Sequence, residues 1–262
     1  MEIPTLTPRS ALLFSAGAWT FNFLCQLYGM LSDPNMKDVA DKYHAFLSPN
    51  PFAIALFFFP QSVIQVYWIY RLYRSSTASN ASEEGDDEAV RYAPVFVLGN
   101  VCIGLWMVFW NNEHLGIADI FVNINSAAQL YYVFAVLAPI SNENKLTHVV
   151  AKMFAGIGIL DVVDNASSAF ANYQFNGYTP GIVTYILTVV AAAGLGYISD
   201  PILGACIVYD FLALFAGQIS RGMWAFVLLI SAGISGALVA FKGIQERDTY
   251  QSLLSGQTGN VI

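Results

Sequence analysis

The chain of 262 residues is 56% hydrophobic and only 11% charged. Soluble domains carry about 25% charged residues, so the composition excludes an ordinary soluble protein and indicates a polytopic membrane protein with the lipid bilayer as its partner. The net charge is −7, and the Lys and Arg residues form no basic face, which excludes nucleic-acid binding.

Apolar runs that are long enough to cross a membrane define the predicted elements. A helix needs about 20 residues to cross roughly 30 Å of hydrocarbon. We therefore predict an all-α transmembrane helix bundle over residues 1–247, with about eight spans, or seven if one segment is re-entrant. The eight runs are residues 11–31, 52–72, 93–111, 117–139, 149–171, 180–198, 202–219 and 223–243.

The shortest gap between two runs is Ser199-Asp200-Pro201, which separates the sixth run from the seventh. The dipeptide Asp200-Pro201 is typical of a point where one helix stops and the next begins. We therefore predict two separate helices here.

The distribution of Lys and Arg predicts the orientation of the bundle. With eight spans, the side that holds both termini carries Arg9, Arg71, Arg74, Arg91, Lys145, Lys152, Lys242 and Arg247, and the other side carries Lys37, Lys42 and Arg221. Positive residues concentrate on the cytosolic side, so both termini are expected in the cytosol, in an endomembrane or the plasma membrane. Lys152 and Lys242 lie near the cytosolic ends of their spans, where lysine side chains snorkel to the interface.

Two polar segments interrupt or follow the bundle. Residues 75–91 are rich in Ser and Thr and then acidic, which predicts a disordered cytosolic loop. Residues 248–262 are polar and predict a flexible cytosolic tail.

Amide side chains recur at helical spacing in three predicted spans. The segments 22–28, 61–67 and 125–131 each contain an amide, three residues, Gln, an aliphatic residue and Tyr. Residues i and i+4 share a helix face, and an amide in lipid needs a hydrogen-bonding partner. Each pair therefore either bonds to neighbouring helices or lines a polar cavity. The amides are Asn22, Gln26, Gln61, Gln65, Asn125 and Gln129, and Asn100 in the third span extends the set.

Carboxylates at mid-depth are the strongest functional signal. Asp161 lies about 18 Å into the fifth span, and Asp164 and Asn165 follow at three and four residues on the same face. Asp210 lies near the middle of the seventh span. A charge at the bilayer centre costs at least about 2.5–3.5 kcal/mol, and the sequence offers no cation at this depth. We expect these carboxyls to serve as proton or cation sites, as enzymatic acids, as contacts in a ligand cavity, or as neutral hydrogen-bonding groups.

Motifs for several chemistries are missing from the sequence. It contains no phosphate-binding Gly-Lys-Ser/Thr loop, no H-E-x-x-H and no G-x-S-x-G, and its Cys and His residues lack metal-ligand spacing. We therefore predict no metal site and no cofactor.

Two apolar segments carry a resemblance to a known family. "NPFAIALFFFPQSVIQVYWIYRLY" is a Pro-led aromatic span with a Tyr-rich end, and "YAPVFVLGNVCIGLWMVFW" carries Asn100 and Trp106 in an Asn-x-x-x-x-x-Trp pattern. Over about residues 50–135, the chain resembles long, many-spanning relatives of the tryptophan-rich sensory/translocator (TspO/MBR) family. It also resembles fungal membrane proteins of similar size. The family resemblance implies an apolar ligand, such as a tetrapyrrole or sterol, with Asn100 and Trp106 as ligand contacts. The shorter family members have five spans, and their Trp-rich loop is not evident here.

Three functional hypotheses follow from these features. The first is a protein that binds or transports a small, largely apolar molecule (a sterol, tetrapyrrole or terpenoid) through a polar mid-membrane cavity. The amide stripes and Asp161, Asp164, Asn165 and Asp210 would line this cavity. The second is a membrane-embedded enzyme, similar to a terpene cyclase, with Asp161, Asp164 or Asp210 as the acid. The third is a structural or trafficking protein of an endomembrane that acts through its loop and tail. The sequence leaves the oligomeric state open.

Overall fold

The computed structural model describes residues 6–77, 87–170 and 178–255, which fold into ten helices without a strand. The helices are α1 (Pro8–Leu31), α2 (Met36–Lys42), α3 (Pro51–Thr77), α4 (Asp87–Asn111), α5 (Leu115–Ala135), α6 (Lys145–Phe170), α7 (Ile182–Ile198), α8 (Pro201–Gly217), α9 (Met223–Gln245) and α10 (Arg247–Ser255). The all-α prediction is thus confirmed for this part of the chain.

Each predicted span overlaps one helix of at least 17 residues. Within the described residues, four helices are long and apolar enough to cross a membrane, namely α3, α4 from Glu88, α6 and α9, and α7 and α8 are shorter apolar helices of 17 residues each. The chain is therefore a multi-pass helical membrane protein.

Helices also extend into the two segments that the sequence assigned to a loop and a tail. α3 continues to Thr77 and α4 begins at Asp87, so only residues 78–86 of the predicted loop lie outside the described residues. In the same way α10 covers the tail as far as Ser255, and residues 256–262 lie outside the described part.

The junction at Asp200-Pro201 forms as predicted. The backbone N–H of Leu203 donates to Asp200 Oδ1 at 2.9 Å, so Asp200 caps α8, and Pro201 occupies its first position. Proline is well tolerated there because the first helical N–H groups have no intrahelical acceptor.

The helices pack around two large apolar cores that share α6, and a smaller cluster of Val39, Trp110, Leu115 and Ala118 lies between α2, α4 and α5. The first core lies between α1, α3, α4, α5 and α6 and is centred on the fully buried Trp68, Tyr92 and Phe96. The second lies between α6, α7, α8 and α9 and includes Leu160, Ile207 and Leu228. Polar groups on different faces of α6 can therefore face different compartments of the bundle.

The short helix α2 covers one end of the bundle. Its Lys42 pairs with Glu113 at 2.6 Å, Tyr43 donates to the same carboxylate at 2.7 Å, and Trp110 Nε1 donates to Met36 O at 3.2 Å. The Lys42 and Tyr43 hydrogen bonds lower the pKa of Glu113, so the carboxylate stays ionised near neutral pH.

Candidate functional site

The amides of α1 and α4 bond to one another. Asn22 Nδ2 donates to Asn100 Oδ1 at 3.0 Å, and Gln26 Nε2 donates to Asn22 Oδ1 at 3.2 Å. Asn100 Nδ2 in turn donates to Phe96 O at 3.0 Å. These three amides join two helices, which is the hydrogen-bonding alternative that the sequence left open.

The α5 amides are also engaged with a neighbouring helix. Tyr92 on α4 donates its hydroxyl hydrogen to Gln129 Oε1 at 2.8 Å, and Gln129 Nε2 donates to Asn125 Oδ1 at 3.4 Å. Asn125 Nδ2 has no partner among the described residues. On α3, Gln61 and Gln65 are buried. None of the seven amides lines either of the two cavities described next.

The face of α6 that carries Asp161 borders a small cavity, here called the acidic cavity. Its volume is about 80 Å³, enough for one or a few water molecules. Asp161, Asp164 and Asn165 all line it, so the face predicted from their spacing is brought together. The other lining residues are Met36, Lys37, Ala40, His44, Ser48, Pro49, Pro51, Ile54, Trp106, Trp110 and Ser168.

Hydrogen bonds hold the acidic cavity together. Trp106 Nε1 donates to Asn165 Oδ1 at 2.6 Å, which fixes α4 against α6. Ser168 Oγ donates to Asp164 Oδ1 at 3.5 Å, and Ser48 Oγ lies 3.5 Å from Ser168 Oγ. Trp106 thus meets the aspartate face, whereas Asn100, its companion in the resemblance, belongs to the α1–α4 contact.

Two residues of the loop after α2 add to this cavity beyond the sequence prediction. Ser48 is buried, whereas His44 is exposed and lies beside the backbone of Gly217. Burial and the nearby charge of Arg221 lower the pKa of His44, so its imidazole is neutral near pH 7. A loop histidine has no periodic signal in the sequence, which is why sequence reasoning did not include it.

A larger cavity lies between α6, α7, α8 and α9, and is here called the apolar cavity. Its volume is about 280 Å³. Asp210 is the one ionisable residue among those that line it, and Thr184 and Thr188 add two hydroxyls. The remaining lining residues are Leu47, Ile159, Leu160, Val163, Leu187, Ala191, Leu195, Ile207, Phe211, Leu214 and Leu228.

The carboxyl group of Asp210 is buried without a hydrogen-bonding partner. The residue is 5% exposed, and neither carboxyl oxygen has a partner among the described residues. Asp161 is 7% exposed and lies close enough to interact electrostatically with both Asp164 and Asp210. In the described part of the chain, no Lys or Arg forms an ion pair with any of the three. A buried carboxyl in this state is either a neutral acid or receives a hydrogen-bond donor from a bound molecule.

The expected snorkelling of Lys152 is wrong. Lys152 is 5% exposed and its ammonium forms an ion pair with Asp200 at the start of α8. The Lys152 side chain is buried and the Asp200 side chain is 28% exposed, so the carboxylate supplies the partner that a buried ammonium needs. Lys242, by contrast, donates to Tyr197 O and, at 2.8 Å, to Ser199 O, carbonyls at the C-terminal end of α7.

A comparison with protein families gives one match, to a family model described as TSPO-like protein, over residues 10–240. A search of curated proteins and a search of solved structures gave no match. The matched range runs from α1 to α9, so it includes the acidic cavity and the apolar cavity together.

Proposed function

The chain belongs to the TSPO-like protein family, and from that premise we propose that it binds or transports a small, largely apolar molecule in the apolar cavity. The observation that carries the proposal is the buried, partnerless carboxyl of Asp210 in a cavity whose other walls are almost entirely hydrocarbon. Such a site can surround the apolar part of a ligand with hydrocarbon, and its carboxyl can form a hydrogen bond with one hydroxyl or amine of the ligand.

The size of the apolar cavity favours a compact ligand. Pockets for drug-sized molecules have volumes of about 300–1,000 Å³, and this cavity has about 280 Å³. Of the three ligand classes considered, a small terpenoid alcohol fits best, because a sterol or a tetrapyrrole is larger and would enter only in part. The hydroxyl hydrogen of such an alcohol would be donated to Asp210.

The acidic cavity has a supporting role in this proposal. It reaches α6 from the side covered by α2, and its Asp161 interacts with Asp210. Asp164, Asp161 and Asp210 would then form an acidic path from the α2 end of the bundle to the ligand. Asn165 and Trp106 would hold α6 in the position that this path requires.

Ligand-dependent thermal stability of the purified protein tests the proposal. Menthol and its parent hydrocarbon p-menthane differ by one hydroxyl, and a sterol and a porphyrin complete the probe set. We expect menthol to raise the melting temperature most, because it is small enough for the apolar cavity and carries the hydroxyl that p-menthane lacks. At 100 times its Kd, a ligand stabilises the folded state by about 2.7 kcal/mol. Asp210→Asn should weaken that stabilisation, because an amide is always neutral, whereas a carboxyl can bind the ligand in its neutral or its ionised state.

Asp119→Asn is the matched control for this experiment. Asp119 is a half-buried aspartate on α5 that lines neither cavity, so its variant should respond to menthol as the wild type does. Equal stabilisation of the Asp210→Asn and Asp119→Asn variants by menthol, or no stabilisation of the wild type by any probe, would contradict the proposal.

A second candidate function uses the same carboxyl as a catalytic acid. A buried aspartic acid beside an apolar cavity is placed to protonate an apolar substrate, as in a terpene-cyclase-like enzyme. In that case the Asp210→Asn variant would still bind the substrate but would form no product. Product analysis on protein incubated with polyprenyl compounds separates this function from simple binding.

A further inference from the structure

A third cavity lies at the end of the bundle away from α2 and is here called the end cavity. It has a volume of about 340 Å³ and shares no lining residue with the acidic or the apolar cavity. His148 and Lys152 on α6 line it, whereas Ser168 of the acidic cavity lies 20 residues further along α6, about 30 Å away. The two cavities are therefore at opposite ends of the same helix.

One wall of the end cavity is apolar and the other is polar. Phe134 and Leu137, at the end of α5 and just beyond it, contribute hydrocarbon. Asp200, Glu246 and Tyr250, from the start of α8, the end of α9 and α10, contribute polar groups. A cavity with this division fits an amphiphile rather than a purely apolar molecule.

His148 lines this cavity, and one buried nitrogen of its ring has no hydrogen-bonding partner in the described part of the chain. Its Nε2 lies 2.9 Å from Ala138 O, and a carbonyl oxygen can only accept, so Nε2 carries the hydrogen. Nδ1 of the neutral ring is then a lone-pair acceptor. His148 is 4% exposed, and Nδ1 has no partner among the described residues.

The charges around the end cavity do not cancel. Lys152 is paired with Asp200, whose other oxygen accepts from Leu203 N. Glu246 is exposed and forms no ion pair with a Lys or Arg in the described part of the chain. Burial, together with the carboxylates of Asp200 and Glu246, raises the pKa of the Tyr250 phenol, which therefore stays protonated and uncharged. Among the residues that line the end cavity, the charges of Lys152 and Asp200 cancel and Glu246 leaves one negative charge.

We propose that the end cavity binds the ammonium group of a small amphiphilic amine between Glu246 and His148, with the apolar part of the molecule against Phe134 and Leu137. An ammonium supplies the charge that Glu246 lacks and the donor that Nδ1 of His148 lacks. An anionic head group would instead meet the unpaired carboxylate of Glu246. The same chemistry is offered by a free amine and by the head group of an aminophospholipid.

Binding to the full-length protein in phosphatidylcholine nanodiscs tests this proposal. The probes are 1-adamantanamine, 1-adamantanol and 1-adamantanecarboxylate, which share one apolar body and differ in the polar group. We expect saturable binding with the order amine, then alcohol, then carboxylate. Glu246→Gln should weaken amine binding about tenfold, as expected for loss of one charge-assisted hydrogen bond.

Two controls make the expected result specific. Glu143→Gln removes an exposed glutamate in the turn just before α6 that does not line the cavity, so amine binding should be unchanged. Asp210→Asn should also leave amine binding unchanged, because Asp210 belongs to the apolar cavity. The side chains of Glu246 and Glu143 are both exposed, and replacing glutamate with glutamine preserves the shape of the side chain.

The source of the amine is decided by adding phosphatidylethanolamine to the nanodiscs. If that lipid raises the melting temperature and competes with 1-adamantanamine, the ligand is a lipid head group; if it does neither, the ligand is a free amine. Equal affinity of the Glu246→Gln and Glu143→Gln variants, tighter binding of the carboxylate than of the amine, or absence of saturable amine binding would overturn the proposal.

Discussion

Asp200 has two roles at the junction between α7 and α8. One oxygen of its carboxylate caps α8 and the other pairs with the buried ammonium of Lys152. The dipeptide Asp200-Pro201 predicts the helix cap from the sequence. The two residues of the ion pair are 48 positions apart in the sequence, so no local pattern predicts their contact. Residue-scale prediction therefore succeeds for contacts within a turn and fails for contacts between distant helices.

Asp200→Asn separates these two roles. Asparagine caps a helix about as well as aspartate, so α8 should still begin at Pro201, whereas Lys152 loses its counter-charge. Breaking a buried pair costs roughly 3–5 kcal/mol, and we expect about 2–3 kcal/mol here because the Asp200 side chain is 28% exposed. Urea or thermal unfolding in detergent measures the loss.

Two further variants control this measurement. Asp41→Asn breaks the exposed pair between Lys37 and Asp41 and should cost no more than about 1 kcal/mol. Lys152→Met combined with Asp200→Asn should recover part of the lost stability, because no buried charge is then left unpaired. If Asp200→Asn were as mild as Asp41→Asn, the buried pair would contribute little to folding.

At the scale of helices, the predicted elements follow from the apolar runs, and their packing partners do not. The eight runs each correspond to a helix because the backbone of an apolar stretch in lipid must satisfy its own hydrogen bonds, whatever its neighbours are. Which helices touch depends on small residues and on shape. The amide stripes illustrate the limit, since the spacing of Asn22 and Gln26 predicts a shared face but not that Asn100 lies against it.

The short helix α2 was also absent from the predicted elements. Its start is marked by a capping box in which Asn35 accepts from backbone N–H groups and Asp38 accepts from the backbone N–H of Asn35. That signal is present in the sequence, but a search for membrane spans passes over a helix of seven residues. Since α2 contributes Met36, Lys37 and Ala40 to the acidic cavity, the omission affected the predicted site.

The contact between α6 and α8 depends on Gly156. A Cβ atom added there would lie 2.3 Å from Cys206 Cβ, so one of the two helices would have to move. We expect Gly156→Ala to destabilise the protein by about 1–3 kcal/mol, as for other overpacked positions. Because the apolar cavity borders both of these helices, ligand binding should weaken as well.

A double-variant cycle checks that the effect of Gly156→Ala comes from this contact. Cys206→Gly removes the opposing Cβ, so combining it with Gly156→Ala should show a favourable coupling energy. Gly233→Ala on α9 is the control, since an added Cβ there meets nothing within 4 Å and should not destabilise the helix. A zero coupling energy would mean that the two helices accommodate the extra atom elsewhere.

At the scale of the whole molecule, the two cores and three cavities form a consistent arrangement along α6. One core lies on either side of this helix, the acidic cavity lies near its C-terminal end, and the end cavity lies near its N-terminal end. The apolar cavity lies between them, beside Asp210. The number and direction of the spans decide which cavity opens toward which side of the membrane, and they are therefore the central question for the transport form of the proposed function.

Cysteine labelling on sealed vesicles with the cytosolic face outward determines this topology. The three native cysteines are free and buried, and replacing them with serine or alanine gives the background. With eight spans, Glu143→Cys and Arg247→Cys should both react with an impermeant maleimide, while Asp41→Cys should react only after permeabilisation. All three positions are exposed, so a difference in reactivity reports the side of the membrane. If the sixth or seventh segment is re-entrant and the chain has seven spans, Arg247→Cys would react on the same side as Asp41→Cys and on the opposite side from Glu143→Cys, and the eight-span orientation would be wrong.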